Sequence, residues 1–350
     1  MRASLVLWLL AACGSSSAAL DAKSGDGATP DASIDGAPAL DGWLFTDGAN
    51  IMIHGPTGDT RWMGRGVNLD DIYLCGYNYM LDSLDGGATL TAIASTLVSD
   101  WKPTFVRISL GMASYPVQSS WTEDTAQYAT PMTSVIEALG ANPGVYVLVT
   151  LRSDATMMGQ DTQDGDAEAT GLPSADTDAV YTALVDTFAH DRFVLFGLSN
   201  EPGGNRQTSE AIAAAMTHAV ATIRAEEDRL GVPHHLISAQ GNGWTSDISY
   251  YASNPIAGGN IVYEVHGYPP ATSSYTYADL PVIIGEYGSL ADPNGFYADL
   301  EAKAIPNLAW DFEPYSNCTP DLLNVTDTTS DLQPSAWGQT VEAYLAAHEP

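Results

Sequence analysis

The sequence predicts an α/β fold in which eight parallel strands and their helices form a single (β/α)8 barrel domain, the TIM-barrel architecture. Eight short apolar segments recur along the chain, and amphipathic segments separate the earlier ones. Most of the apolar segments are apolar at consecutive positions, as expected of strands covered on both faces. Neither a Gly-x-Gly-x-x-Gly motif nor a phosphate-binding loop follows the first segment, which disfavours an open nucleotide-binding sheet.

The eight predicted strands follow one another after a small hairpin. In chain order they are 64–68, 104–110, 145–151, 193–198, 235–241, 260–268, 281–288 and 307–312. The hairpin is predicted from two segments, 51–54 and 61–64, that flank a turn sequence containing Gly and Asp.

Six amphipathic segments are predicted to be helices packed on this sheet. They are 90–101, 132–141, 178–190, 209–231, 294–304 and 336–348. In the fourth segment Ile212, Met216 and Val220 recur at helical spacing, and such a stripe is typical of a helix packed against strands.

Composition narrows the possible partners. The chain has 350 residues, enough for one barrel of roughly 250–300 residues. Its net charge of −31 argues against a nucleic-acid partner, which requires clustered Lys and Arg, and against electrostatic docking to an anionic membrane. A neutral partner is compatible with this charge, and we expect a monomer.

Residues 1–13 are predicted to be a lipoprotein-type signal peptide that ends at Cys13. The apolar run 5–12 is too short to span a bilayer and is typical of a secretory signal. Leu-Ala-Ala-Cys at 10–13 resembles the lipobox of bacterial lipoproteins, in which the cysteine is lipidated. An ordinary signal peptide with an incidental cysteine is the alternative.

The segment 14–41 is rich in Gly, Ser, Ala and Asp and is predicted to be a flexible linker to the barrel domain, 42–350. We therefore expect an exported protein, either secreted or attached to a bacterial membrane only through a lipid on Cys13. Gly14 favours the outer membrane in the lipoprotein pattern.

Two further cysteines, Cys75 and Cys318, would enter an oxidising compartment, where one disulfide is expected; two free thiols are the alternative. In a closed barrel the first and eighth strands are neighbours, so the loops that carry these cysteines would lie close together.

Polar residues that follow the apolar segments are the candidate site, because the active site of such a barrel lies at the carboxyl ends of its strands. In chain order they are Asn68, Arg107, Arg152, Asn200, Glu201, Asn242, Trp244, His266, Tyr268, Glu286 and Trp310. A lone buried carboxylate is costly, so Glu201 and Glu286 at two strand ends are expected to share one pocket. Paired carboxylates are what cleavage of a glycosidic bond requires.

Six short motifs carry a family resemblance. They are Arg-Gly-Val-Asn at 65–68, Val-Arg-Ile at 106–108, Asn-Glu-Pro at 200–202, Glu-Val-His-Gly-Tyr at 264–268, Ile-Gly-Glu at 284–286 and Ala-Trp-Asp at 309–311. In this order they resemble the retaining glycoside hydrolases of the large (β/α)8 clan, most closely the cellulase-like family 5. The resemblance covers about residues 42–348.

The resemblance implies a retaining endo-β-glycanase that acts on β-linked glucan or mannan without a metal or organic cofactor. Glu201 would be the general acid and then the base, and Glu286 the nucleophile. Arg107 would keep Glu286 charged, Tyr268 would orient it, and Asn68 would support the site.

The resemblance also implies substrate contacts. Asn200 would bond the sugar 2-hydroxyl, and His266 would bond a sugar hydroxyl or tune Glu201. Trp310 and Trp244 would offer apolar faces to sugar rings.

The sequence departs from the family pattern at Arg152, where the family has His. A carbohydrate-binding protein without activity is therefore one alternative, and an inverting hydrolase with more widely spaced carboxylates is another. The acidic segment 161–168 lacks the carboxylate spacing of an EF-hand calcium loop and is interpreted as a solvated loop.

Overall fold

Eight parallel strands close into a barrel in the computed structural model of the chain, which confirms the predicted fold class. The structure describes residues 40–69, 88–110, 121–122, 125–151, 172–175, 177–202, 207–268, 279–313, 320–324 and 332–349. Each barrel strand pairs with the next along the chain, and the last pairs with the first. Closure removes the exposed sheet edges that an open sheet would leave.

The barrel strands are β4 (Arg65–Asn68), β5 (Phe105–Leu110), β6 (Tyr146–Leu151), β7 (Val194–Gly197), β8 (Ile237–Gln240), β9 (Ile261–Gly267), β10 (Val282–Tyr287) and β11 (Asn307–Ala309). The strand β11 ends at Ala309 instead of residue 312, so Trp310 follows the last strand directly.

A three-stranded antiparallel sheet precedes the barrel. It consists of β1 (Leu44–Asp47), β2 (Asn50–Ile53) and β3 (Thr60–Arg61). The predicted hairpin corresponds to β2 and β3, in which Met52 pairs with Arg61. The additional strand β1 is only four residues long and too short to show a clear alternation in the sequence.

The helices lie close to their predicted positions. They are α1 (Ala88–Thr96), extended by a π-helical turn at Leu97–Trp101, α2 (Thr130–Gly140), preceded by a π-helical turn at Thr125–Ala129, α3 (Asp178–Phe188), α4 (Ser209–Leu230), α5 (Pro293–Lys303) and α6 (Ala336–Ala346). The β8–β9 connection contains a turn at Asn242–Thr245 and a short 3-10 helix at Ser249–Ala252. Among the helices of the described residues, none is long and apolar enough to cross a membrane.

The strands lie between two apolar layers, one outside the barrel and one inside it. Outward-facing residues such as Val106 and Val265 belong to a cluster that includes the helices. The alternate residues, such as Phe105 and Val262, pack inside the barrel with Trp62, which lies beside the small sheet. Successive strand residues point to opposite faces, so one sequence supplies both layers.

The inward-facing positions change from apolar to polar toward the carboxyl ends of the strands. On β9 they are Val262, Glu264 and His266, all buried, and on β5 Phe105 is followed by Arg107. Apolar side chains therefore fill the lower barrel, and the polar residues are confined to its upper end.

Candidate active site

Arg107 lies at the centre of the polar end of the barrel and is 0% exposed. Its Nη1 donates to Glu286 Oε1 at 2.9 Å, and its Nη2 donates to Asn200 Oδ1 at 2.6 Å. Its Nε lies 3.0 Å from Glu264 Oε1. One buried guanidinium thus joins Asn200 after β7, Glu264 on β9 and Glu286 on β10. Its several donors, fixed in one plane, can bind three partners at once, which an ammonium group does less well.

Asn68 fixes the opposite side of this guanidinium. Its Oδ1 accepts from Arg107 Nη1 at 2.9 Å, while its Nδ2 donates to the carbonyl oxygens of Gly285 at 3.0 Å and Ala309 at 3.3 Å. The Asn68 amide therefore connects β5, β10 and β11. It holds Arg107 and the backbone beside Glu286 in place.

A bulge in β10 positions Glu286. Ile284 pairs with Val265 and Glu286 pairs with His266, so Gly285 is one extra residue opposite the β9 strand. Strict alternation would place Glu286 on the same outward face as Ile284, in the apolar layer under the helices. The bulge instead directs its carboxylate inward, as β-bulges near active sites commonly do.

Tyr268 contacts the second oxygen of Glu286. Its hydroxyl donates to Glu286 Oε2 at 2.8 Å. Burial and the nearby Glu286 charge hold the pKa of Tyr268 well above its usual value, so the hydroxyl keeps its proton and remains a donor. Glu286 thus receives one hydrogen bond on each of its two oxygens, and these fix the orientation of the carboxylate.

Glu201 follows β7 in a strained backbone conformation. Its φ is 44°, in the left-handed region that is costly for a residue with a side chain. Its backbone N–H donates to Gln240 Oε1 at 2.5 Å, which helps hold this conformation. The carboxylate reaches the same pocket as Glu286, as the sequence predicts, and its Oε1 lies 2.8 Å from His266 Nδ1.

His266 lies between carboxylates. Its Nδ1 is 2.8 Å from Glu201 Oε1 and 3.5 Å from Glu286 Oε2, and its Nε2 is 3.0 Å from Glu264 Oε1. Burial alone would lower the pKa of His266, but the charge of Glu286 and the hydrogen bonds to the other two carboxylates raise it to about 9. The ring is therefore a cation at neutral pH.

Glu264 is a third carboxylate that the analysis of strand ends does not predict. It is 0% exposed, and Ser238 Oγ donates to its Oε2 at 2.6 Å. Burial would raise its pKa, but the Arg107 charge and the hydrogen bond with His266 lower the pKa to about 2. The sequence did hold a signal: Glu264 precedes His266 by two positions and therefore shares its face of the strand.

The two candidate tryptophans have different exposures. Trp310 directly follows β11 and is only 6% exposed. Trp244 is 39% exposed and sits in a turn where Gly243, Trp244 and Thr245 all have positive φ. This turn therefore holds part of a large apolar ring in solvent.

Several predictions fall on residues outside the described part of the structure. These are Arg152, the Cys75–Cys318 disulfide, lipidation of Cys13, the signal peptide, and the solvated loop at 161–168. They stay predictions, as does the linker boundary at residue 41.

A second group of acids follows β11. One carboxylate oxygen from each of Asp311, Glu313 and Asp321 lies within 4.8 Å of the others. Burial raises the pKa of Asp321 from 3.8 to about 6. The native state therefore holds this proton more tightly than the unfolded chain does, and stability falls as the pH rises through this interval.

Asp321→Asn is accordingly expected to increase the free energy of unfolding at pH 7 and to change it little at pH 3.5, where the wild-type carboxyl is protonated in both states. Urea unfolding at the two pH values measures the difference. The same substitution at the exposed Asp47 is the control. Equal effects of Asp321→Asn at both pH values would contradict the raised pKa.

Comparison with known proteins identifies the family. The sequence profile of the cellulase family, glycosyl hydrolase family 5, matches residues 75–316. No curated protein sequence matches the chain.

Solved structures share the fold. Endoglucanase Cel5A of Thermobifida fusca in complex with cellotetraose superposes with a TM-score of 0.62 at 18% identity, covering 87% of this chain and 97% of its own. The β-glucanase SdGluc5_26A of Saccharophagus degradans, also with cellotetraose, gives 0.64 at 17%, covering 88% and 94%. A β-mannanase of Streptomyces thermolilacinus with mannohexaose gives 0.58 at 18%, covering 88% and 96%.

At such identities the structural similarity concerns the fold, whereas the profile match concerns the sequence itself. That match spans more than half of the chain and includes β5 to β11. On this evidence the chain belongs to glycosyl hydrolase family 5.

Proposed function

We propose that the protein is a retaining endo-β-glycanase that cleaves a β-linked polysaccharide, a β-1,4-glucan such as cellulose or a mannan, with Glu201 as general acid and base and Glu286 as nucleophile. The observation that carries the proposal is the spacing of these two side chains. The nearest oxygens of the two carboxyl groups are no more than 4.8 Å apart, and His266 Nδ1 lies 2.8 Å from Glu201 Oε1 and 3.5 Å from Glu286 Oε2. So close an approach favours the narrower of the two spacings known for glycoside hydrolases. Retaining hydrolases separate their two carboxyl groups by roughly 5–5.5 Å, and inverting ones by roughly 6.5–9.5 Å.

The hydrogen bonds distinguish the two roles. Glu286 accepts from Arg107 and from Tyr268, so its charge is stabilised while its carboxylate is held at a fixed angle. A nucleophile must be ionised and positioned near the anomeric carbon before reaction. The bulge at Gly285 supports this role, because it directs the side chain into the pocket from the backbone.

The charge balance of the pocket supports Glu201 as the proton donor. Arg107 and a protonated His266 carry two positive charges, and Glu264 and Glu286 carry two negative ones. A general acid must carry a proton, and a protonated Glu201 would add no further negative charge to this buried group.

The reaction would then conserve this balance. Glu201 gives its proton to the glycosidic oxygen as Glu286 bonds to the anomeric carbon. Glu201 thereby becomes a charged carboxylate, and Glu286 becomes a neutral ester. In the second step Glu201 takes a proton from water, the water oxygen bonds to the anomeric carbon, and Glu286 leaves as a carboxylate. Of the two groups beside His266 Nδ1, Glu201 and Glu286, one is negatively charged before and after each step, and Glu264 stays charged at Nε2.

Substrate contacts are proposed for three further residues. Asn200 uses its Oδ1 to accept from Arg107, so its amide nitrogen is the group that would donate to the sugar 2-hydroxyl. The exposed ring of Trp244 would stack on one sugar unit, and the small exposed part of Trp310 would contact another.

Hydrolysis assays test the proposal. We expect wild-type protein to release reducing ends from cellulose or mannan and to give the β-anomer first when the products are followed by NMR. Glu201→Ala should lower kcat/KM on polysaccharide by about 10²–10⁴-fold. It should have less effect on an aryl glycoside whose leaving group departs without a proton.

A matched substitution at the exposed Glu210 is the control and should retain wild-type activity. If wild type and Glu201→Ala are equally inert on cellulose, mannan, xyloglucan and aryl glycosides, the protein is a carbohydrate-binding protein instead of an enzyme. An α-anomer as the first product would show an inverting mechanism.

A further inference from the structure

We propose that the catalytic pocket is also an inhibitory binding site for a divalent transition-metal ion of the Zn²⁺ class, held by Glu201 Oε1, His266 Nδ1 and Glu286 Oε2. The inhibition rests on the proposed function, whereas the binding does not. The three side chains come from different strands and meet in one place, with their ligand atoms within 4.8 Å of one another.

The distances suit a single ion. His266 Nδ1 lies 2.8 Å from Glu201 Oε1 and 3.5 Å from Glu286 Oε2. An ion bound at about 2.0–2.1 Å from each ligand in a tetrahedron requires ligand atoms about 3.3 Å apart. Small side-chain rotations would therefore bring the three atoms to this spacing without a backbone movement.

The donor types favour a borderline-soft ion over Mg²⁺ or Ca²⁺. One imidazole nitrogen and two carboxylates form a set that suits Zn²⁺, whereas the hard cations require more oxygen ligands. The side chains of Glu201 and Glu286 are 10% and 6% exposed, so both carboxylates retain some contact with solvent. The fourth position around the ion would hold a water molecule.

The surrounding hydrogen bonds are those of a built metal site. Glu264 Oε1 lies 3.0 Å from His266 Nε2 and can accept its hydrogen, which leaves Nδ1 to face the ion. Such carboxylate–histidine–metal arrangements fix the orientation of the ring and strengthen it as a ligand. Tyr268 and Arg107 hold Glu286 in the same way.

Binding is balanced by proton release. The ion takes the place of the proton on His266 Nδ1 and of the carboxyl proton of Glu201, so two protons pass to the buffer. With both carboxylates engaged by the ion, neither can act on a glycosidic bond, so metal and substrate exclude each other.

Titration calorimetry of the untagged full chain with ZnCl₂ tests the site without depending on activity. We expect one ion per chain for wild type and loss of this event in Glu286→Gln. In Glu264→Gln, which removes the negative charge beside His266 Nε2 and Arg107 but no ligand of the ion, we expect affinity weakened by about 10–100-fold. His218→Ala is the matched control, because His218 lies beside Asp178 on the exposed surface and should not contribute to the event.

The parallel kinetic measurement should show that Zn²⁺ raises KM and leaves kcat unchanged. Unchanged Zn²⁺ affinity in Glu286→Gln, or loss of the event in His218→Ala, would overturn the proposal. Circular dichroism of each variant separates a lost ligand from a lost fold, and Glu201→Gln supplies a second ligand variant. If wild type binds Zn²⁺ as described but hydrolyses none of the substrates, the metal site stands and the proposed enzymatic function fails.

Discussion

Glu286→Ala is expected to lower kcat on an aryl β-glycoside by more than about 10⁴-fold, the largest effect of any single substitution in this protein. Without the carboxylate no covalent glycosyl–enzyme intermediate can form. Arg107 and Tyr268 would remain in the pocket, but a guanidinium and a hydroxyl that keeps its proton are poor replacements for a carboxylate nucleophile. Steady-state kinetics with a substrate that has a good leaving group measures the loss, since Glu201 contributes least there.

Sodium azide should restore part of this activity and identify the role of the missing group. Azide can occupy the space left by the Glu286 side chain, attack from that face of the sugar and give the α-glycosyl azide. In Glu201→Ala, azide would attack the intermediate from the opposite face and give the β-glycosyl azide. A β-product from Glu286→Ala would assign the nucleophile elsewhere.

Arg107→Leu is expected to decrease the free energy of unfolding by about 3–5 kcal/mol, because it leaves buried carboxylates without their cation. Glu264 and Glu286 both lie within 3.0 Å of Arg107 nitrogen atoms, and the guanidinium is 0% exposed. Urea unfolding at pH 7 measures this change. Activity should fall in the same variant even where it remains folded, since Glu286 loses one of its two hydrogen bonds.

Arg229→Leu is the matched control. Arg229 also pairs with two carboxylates, those of Glu226 and Asp186, but it lies on the surface with a side-chain exposure of 59%. Exposed ion pairs contribute little to stability, so this variant should unfold close to wild type. Similar losses in the two variants would show that burial of the Arg107 network is not the source of its stability.

The barrel could be predicted from the sequence because its signal is spread over many strands. The predicted segment 145–151, for example, differs from the observed strand Tyr146–Leu151 only by one residue at its start. The strand ends also indicated the two principal carboxylates, since Glu201 and Glu286 each terminate an apolar run. The β8–β9 connection could not be predicted in the same way, because its Gly-, Asn- and Ser-containing sequence has no apolar stripe at helical spacing. In the structure it forms only turns and a short 3-10 helix.

What the sequence did not indicate are contacts between strands that are distant in the chain. Glu264 lies within an apolar strand. Its carboxylate is held in the pocket by Arg107 from β5 and Ser238 from β8, which are distant in the chain. The bulge that turns Glu286 inward was another such case: strict alternation would place Val282, Ile284 and Glu286 on one face, although Glu286 was expected in the pocket. Only the pairing of β10 with β9 shows the extra residue that changes this face.

The bulge also couples two positions of the sequence. A Cβ atom at Gly285 would lie 2.0 Å from Glu264 Oε1 and 2.5 Å from Glu264 Cγ. The Glu264 carboxylate is already engaged by Ser238 and His266, so a side chain at position 285 would displace it from these partners. We therefore expect substitutions at 264 and 285 to be strongly non-additive, with a side chain at 285 tolerated better when residue 264 is small.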